Sequence, residues 1–232
     1  MPTTPLVLIP GLACTETLYA AQIPALEQSR EVIIGDHMQH DTMAGIAAHI
    51  LDAAPARFAL AGLSMGGYIC FEILRQAPER VERLALLDTS ARADTAEKIA
   101  LRHEALELAA AGKYLAVAYS TLDLSIAKSR HGDTGLKRAI IDMAVAAGPQ
   151  VWAAQTRAIM AREDSIPMLR AITCPTLVVV GDEDQLTPPE LAHEMAENLL
   201  NARLEVIAGC GHMSTMERPD HVTGLLQDWL AP

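Results

Sequence analysis

The chain has 232 residues, 50% of them hydrophobic and 20% charged, with a formal net charge of −11. That apolar share supports a sizeable buried core and excludes a disordered chain. The acidic balance, with Lys and Arg scattered rather than clustered, excludes nucleic acid and anionic membrane surfaces as partners.

The opening Met1-Pro2-Thr3-Thr4-Pro5 is not a basic stretch leading into a long apolar run, and no segment is apolar for the length of a membrane span. The expectation is a soluble, cytoplasmic protein. Cys14, Cys70, Cys174 and Cys210 are widely spaced and form no C-x-x-C pair, which argues against a disulfide framework or a zinc site. His37-Met38-Gln39-His40-Asp41 reads as a polar turn without a third ligand cluster. No metal and no cofactor are expected.

In chain order, Leu6-Val7-Leu8-Ile9 is a strand-length apolar run stopped by Pro10-Gly11. Glu31-Val32-Ile33-Ile34-Gly35 and Phe58-Ala59-Leu60-Ala61 follow, then Leu84-Ala85-Leu86-Leu87, Thr176-Leu177-Val178-Val179-Val180 and Leu204-Glu205-Val206-Ile207. Continuous rather than alternating apolar runs belong to strands covered on both faces. Helical patterns lie between most of them, over 16–28, 42–54, 65–77, 189–200 and 219–230. The alternation predicts an α/β fold, a doubly wound, mostly or wholly parallel sheet of about six strands.

From about 93 to 171 no strand pattern occurs. Helical patterns over 95–111, 113–122, 134–147 and 149–162 fill this interval, punctuated by Gly112, Gly132, Gly135 and Gly148-Pro149. The expected organisation is a core domain of 1–92 and 172–232 with a helical cap insertion over 93–171.

The candidate chemistry centres on Gly62-Leu63-Ser64-Met65-Gly66-Gly67, where an apolar strand meets an apolar helix. A serine hydroxyl is a weak nucleophile, so it must be presented on a sharp turn with a base beside it. Open α/β sheets build sites beyond the carboxyl ends of their strands, which restricts the base to polar residues just after strands. His212, in Gly209-Cys210-Gly211-His212-Met213, satisfies that condition; His49, His103, His193 and His221 fall within helical patterns. The group orienting the histidine is chosen among Asp88, Asp182 and Asp184, with Asp184 preferred for its place in the loop of the strand preceding the one that leads to His212.

The ordered set Pro10-Gly11, Gly62-x-Ser64-x-Gly66, Gly181-x-x-Asp184-x-x-x-Pro188, Gly211-His212 and Glu217-x-Pro219 resembles the α/β-hydrolase fold enzymes over the whole chain, in the same Ser, Asp, His order. Gly62-Leu63-Ser64-Met65-Gly66-Gly67, the nucleophile elbow of that family, and Thr187-Pro188-Pro189 resemble the 3-oxoadipate enol-lactone hydrolase and small-esterase branch. Pro10 departs from the histidine many members carry there. The resemblance implies a serine hydrolase acting on a small-molecule ester, lactone or thioester, with Ser64, Asp184 and His212 catalytic and the backbone N–H groups of Leu12 and Met65 as the oxyanion hole. It leaves open an enol-lactone or C–C bond hydrolase, a ligand-binding protein on the same scaffold, and a monomer or a homodimer.

An apolar pocket is expected from Leu12, Met65 and Met213, with Tyr119, Met143, Trp152 and Met160 of the insertion either lining it or packing between helices. With two Trp, four Tyr and two Phe in the chain, a large aromatic cavity is not expected. An anionic substrate would need a countercharge, for which the sequence offers Arg157 or Arg162.

Overall fold

The structure is a computed structural model that describes residues 3–231. Strands β1 (Leu6–Ile9), β2 (Val32–Ile34), β3 (Phe58–Leu63), β4 (Val81–Leu87), β5 (Thr176–Gly181) and β6 (Ala202–Ile207) form one sheet in the order β2-β1-β3-β4-β5-β6. All neighbouring pairs are parallel.

Helices α1 (Gln22–Leu26), α2 (Met43–Ala53) and α3 (Met65–Gln76) connect the first four strands. After β4 come α4 (Ala96–Leu108), α5 (Tyr114–Leu122) and α6 (Thr134–Met160), and β5 then leads into α7 (Pro189–Asn198), β6, α8 (Ser214–Glu217) and α9 (Pro219–Leu230). The period of two along each strand decides what each face meets. Val7, Ile9, Phe58 and Leu60 pack with α2, α3 and α7, whereas Leu6, Leu8, Ala59 and Ala61 pack with α1 and α9. Among the described residues no helix is long and apolar enough to cross a membrane.

One helix differs from the sequence reading. The helix expected over 16–28 is split into a 3₁₀ turn, Glu16–Tyr19, and α1. Pro24 has no N–H to offer the Ala20 carbonyl, so one α-helix cannot run through. The two helices expected on either side of Gly148-Pro149 are found as the two halves of α6, which part at Gly148, whose φ of 77° and ψ of 166° are not helical. A glycine in that conformation ends the first helix, and Pro149, which has no N–H to donate to the preceding turn, opens the second.

The helical insertion between β4 and β5 shares a cavity with the loops that follow β1, β3, β5 and β6. Tyr114 and Trp152 stack at 5.6 Å between ring centroids, and the Tyr114 hydroxyl donates to the Ala144 carbonyl at 2.8 Å. This small internal core also takes in Ala13 from the loop after β1, which fastens the insertion to the sheet edge.

Candidate active site

Ser64 stands between the last residue of β3 and the first of α3, with φ 55° and ψ −116°. That conformation costs a non-glycine residue about 1–3 kcal/mol and persists only where the surroundings impose it. A Cβ at Gly62 would overlap the Gly66 carbonyl, and one at Gly66 would overlap the Ile9 carbonyl oxygen, so the turn closes only with glycine at both places. The Ser64 N–H donates to the Leu87 carbonyl at 2.9 Å, and its own carbonyl accepts from the Thr89 hydroxyl at 2.7 Å and the Gly67 N–H at 2.9 Å.

His212 and Asp184 come from the loops after β6 and β5. Asp184 Oδ2 accepts from His212 Nδ1 at 2.8 Å and from the Thr187 hydroxyl at 2.8 Å, while Oδ1 accepts from the N–H groups of Leu186 and Thr187, both at 2.9 Å. A carboxylate can only accept, so the proton of a neutral His212 ring lies on Nδ1 and its lone pair on Nε2. Burial alone would push His212 down, but the Asp184 charge and hydrogen bond outweigh it, and the net shift is upward. Burial would raise Asp184, yet His212 and the two Thr187 donors leave it below its ordinary value. Ser64 and His212 line the same cavity without a direct hydrogen bond between them.

Two other buried carboxyl groups hold these loops. Glu217 Oε1 accepts from the N–H groups on either side of the histidine, Gly211 at 3.0 Å and Met213 at 3.3 Å, and Oε2 accepts from Ala127 N–H in the insertion at 2.8 Å. Asp88 does not touch His212: Oδ1 accepts from Gly181 N–H at 3.1 Å and Oδ2 from the N–H and hydroxyl of Ser214. Complete burial, and then the nearby Asp184 charge, push Asp88 up to about 8. Asp182 accepts from Cys210 N–H at 3.2 Å. The Glu217-x-Pro219 spacing was the only sequence signal for the Glu217 brace, because its partners are backbone amides.

The N–H groups of Leu12 and Met65 have no acceptor among the described residues. Met65 opens α3, where the first amides face outward at the positive end of the helix dipole.

Ser64 and His212 open onto a cavity of about 380 Å³. Leu12, Met213 and Trp152 line it, whereas Met65 is wholly buried off the wall. Tyr119, Met143 and Met160 do not line it either, which corrects the expectation. Tyr119 is 57% exposed on the outside of α5, Met143 is packed with Ile126 and Leu136, and Met160 is partly buried off the wall. Val117 and Ile141 face the cavity, and a step of two residues along a helix turns a side chain to the far side.

The expected countercharges also stand elsewhere. Arg157 is exposed, and Arg162 is bound to Asp94 at 2.9 Å with its guanidinium 4.0 Å over the Tyr68 ring. The cations on the wall are instead Lys98 and Arg102 of α4, against Asp94 as the single carboxylate there. Arg102 Nε donates to Asp94 at 2.6 Å, and its terminal nitrogens make no hydrogen bond among the described residues. Cys14 lines the cavity too, but burial pushes its thiol up to about 12, so it stays protonated.

Residues 41–219 match the sequence profile of the alpha/beta hydrolase fold. BpoC of Mycobacterium tuberculosis, which carries a non-heme bromoperoxidase name, is 32% identical over 193 residues, 78% of this chain and 70% of that protein. The pimeloyl-(acyl-carrier protein) methyl ester esterase of Nitrosospira multiformis is 27% identical over 74% of this chain and 67% of its own length. Among solved structures, a thermophilic esterase from Thermogutta terrifontis has a TM-score of 0.89 and 29% identity, covering 99% of this chain and 90% of the other. An enol-lactonase from Burkholderia xenovorans has a TM-score of 0.90 and 25% identity, with 99% and 92% covered. Profile, sequence relatives and sheet topology agree: this chain belongs to the alpha/beta hydrolase fold family.

Proposed function

We propose that the protein is a serine hydrolase of small carboxylic esters. The observation that carries this reading is a buried His212–Asp184 pair at 2.8 Å opening onto the same cavity as a serine on a strained, glycine-flanked turn. In this reading His212 Nε2 takes the Ser64 proton as Oγ attacks the ester carbonyl, while Asp184 holds the ring in its Nδ1–H tautomer and stabilises the imidazolium. The oxyanion develops between the N–H groups of Leu12 and Met65, each worth about 3 kcal/mol of transition-state stabilisation. The imidazolium gives its proton to the leaving alcohol. A water molecule deprotonated by the same nitrogen then frees the acid and restores the serine.

Residues 93–171 serve as the cap over this site, and 1–92 with 172–232 as the core domain. A fluorophosphonate probe tests the reading. Covalent mass on Ser64, lost in Ser64→Ala together with hydrolysis of p-nitrophenyl butyrate, is the expected result. Absence of both in the folded wild type would leave a ligand-binding protein on the hydrolase scaffold.

A second reading, a lactone or ester bearing a carboxylate, is favoured by Lys98 and Arg102 on an otherwise mostly apolar wall and by the likeness to the enol-lactonase. Both readings use the same acyl transfer.

A further inference from the structure

Gln155 of α6 is completely buried, and its amide joins two backbone segments that belong to the sheet edge. Its Oε1 accepts from the Ala13 N–H at 2.9 Å, and its Nε2 donates to the His37 carbonyl at 3.1 Å. Ala13 follows Leu12, whose N–H has no acceptor among the described residues and is assigned above to the oxyanion.

The loop needs such a brace. Ala13 has φ 54°, a left-handed conformation that costs a residue with a Cβ about 1–2 kcal/mol. A second brace comes from His37, whose Nε2–H donates to the Gly11 carbonyl at 3.0 Å. Burial pushes His37 below its ordinary value, so the ring stays neutral and Nε2 keeps its proton for that bond. Residues 11–13 are thus held from one side by an imidazole next to β2 and from the other by an amide of the insertion. Only a side chain with an acceptor and a donor on one rigid group satisfies both Ala13 N–H and His37 C=O; an apolar side chain of equal volume would strand two buried backbone groups.

We propose that Gln155 is a positioning residue: it aims the Leu12 N–H at the oxyanion and thereby couples the seating of the helical insertion to the chemical step. This rests on the serine hydrolase reading of Ser64. The coupling is local, since Trp152 and Ala144 of the same helix line the cavity and pack against Ala13.

The test uses Gln155→Met and Gln155→Glu in the full chain, with p-nitrophenyl butyrate hydrolysis, the rate of fluorophosphonate labelling of Ser64, and thermal melting at each assay pH. In Gln155→Met the loop loses its aim. Misplacement of a catalytic group by about 1 Å costs on the order of 100-fold, so kcat should fall by about 10- to 100-fold, with KM within about threefold and slower labelling. In Gln155→Glu a neutral carboxyl can accept from Ala13 and donate to His37, but a carboxylate repels the His37 carbonyl. That variant should therefore retain kcat at the low end of the working pH range and lose it as pH rises, giving an alkaline limb absent from the wild type.

Wild-type kcat across the pH range in either folded variant, or a change confined to KM or to melting temperature, overturns the proposal. The Ser64→Ala control separates the two claims. If the wild type neither hydrolyses ester nor accepts the probe, the hydrolase reading falls and this proposal with it. If it does both while Gln155→Met keeps full kcat, only this proposal falls.

Discussion

His212 Nδ1 lies 2.8 Å from Asp184 Oδ2, and both side chains are almost wholly withdrawn from water, at 5% and 3% residue exposure. In that setting the carboxylate charge outweighs the desolvation that would otherwise hold the imidazole neutral. Since a general base must be unprotonated, the raised value moves the acid limb of activity upward. The kcat/KM profile should have its acid midpoint above 6.5, the ordinary histidine value. Asp184→Asn removes the charge and the tautomer control, so the limb should move to lower pH while kcat falls by roughly 10⁴-fold. A pH series of kcat/KM on both proteins checks this.

Asp88 separates from Asp184 by what it holds. Because Asp88 binds Gly181 and Ser214 rather than the histidine, Asp88→Asn should lower kcat by no more than about tenfold, far less than Asp184→Asn. Its effect on stability has a definite sign. A value raised to about 8 from an ordinary 3.8 favours the protonated form in the fold, so its contribution is complete below pH 4 and is lost as pH rises to 8. Asp184, lowered in the fold, contributes above its ordinary value and loses that contribution as pH falls below it. Melting temperature should therefore decline from pH 5 to 8.5 less steeply in Asp88→Asn than in the wild type, by about 2–4 °C for each kcal/mol involved.

At the elbow, Gly62→Ala and Gly66→Ala each force a Cβ into a carbonyl of the adjoining backbone, which cannot move aside as a side chain can. Each should cost about 3 kcal/mol or more, measured as a shift of the urea midpoint, with Ser64 labelling lost even in protein that remains folded. Gly224→Ala, where a Cβ meets open space, is the control and should leave stability within about 1 kcal/mol.

On the cavity wall, the doubly substituted Lys98→Met and Arg102→Met protein should distinguish a charged substrate from a neutral one. For p-nitrophenyl esters of dicarboxylic acids, compared with alkanoate esters of equal length, kcat/KM should drop by about 10- to 100-fold, mainly through KM. Raising the ionic strength should narrow the same difference in the wild type. Equal loss on both ester series would show that the two cations only support the insertion.

Much of this molecule is written locally in its sequence. The continuous apolar runs such as Leu6–Ile9 and Thr176–Gly181 can be strands only where both faces are covered, and that made the parallel, doubly wound sheet legible before any contact was known. Ser64, Asp184 and His212 stand out for the same reason: each follows a strand, and glycines mark the turns that bring them to one edge of the sheet. What the tertiary structure alone decided is how helices are rotated against that edge. It turned Met213 and Trp152 toward the cavity and Tyr119, Met143 and Met160 away from it, replaced Arg157 and Arg162 with Lys98 and Arg102 as wall cations, and brought Gln155 to a loop 142 positions earlier in the chain. A helix carries its period in its own residues, but its phase is set by what it packs against, and those partners lie far away in sequence.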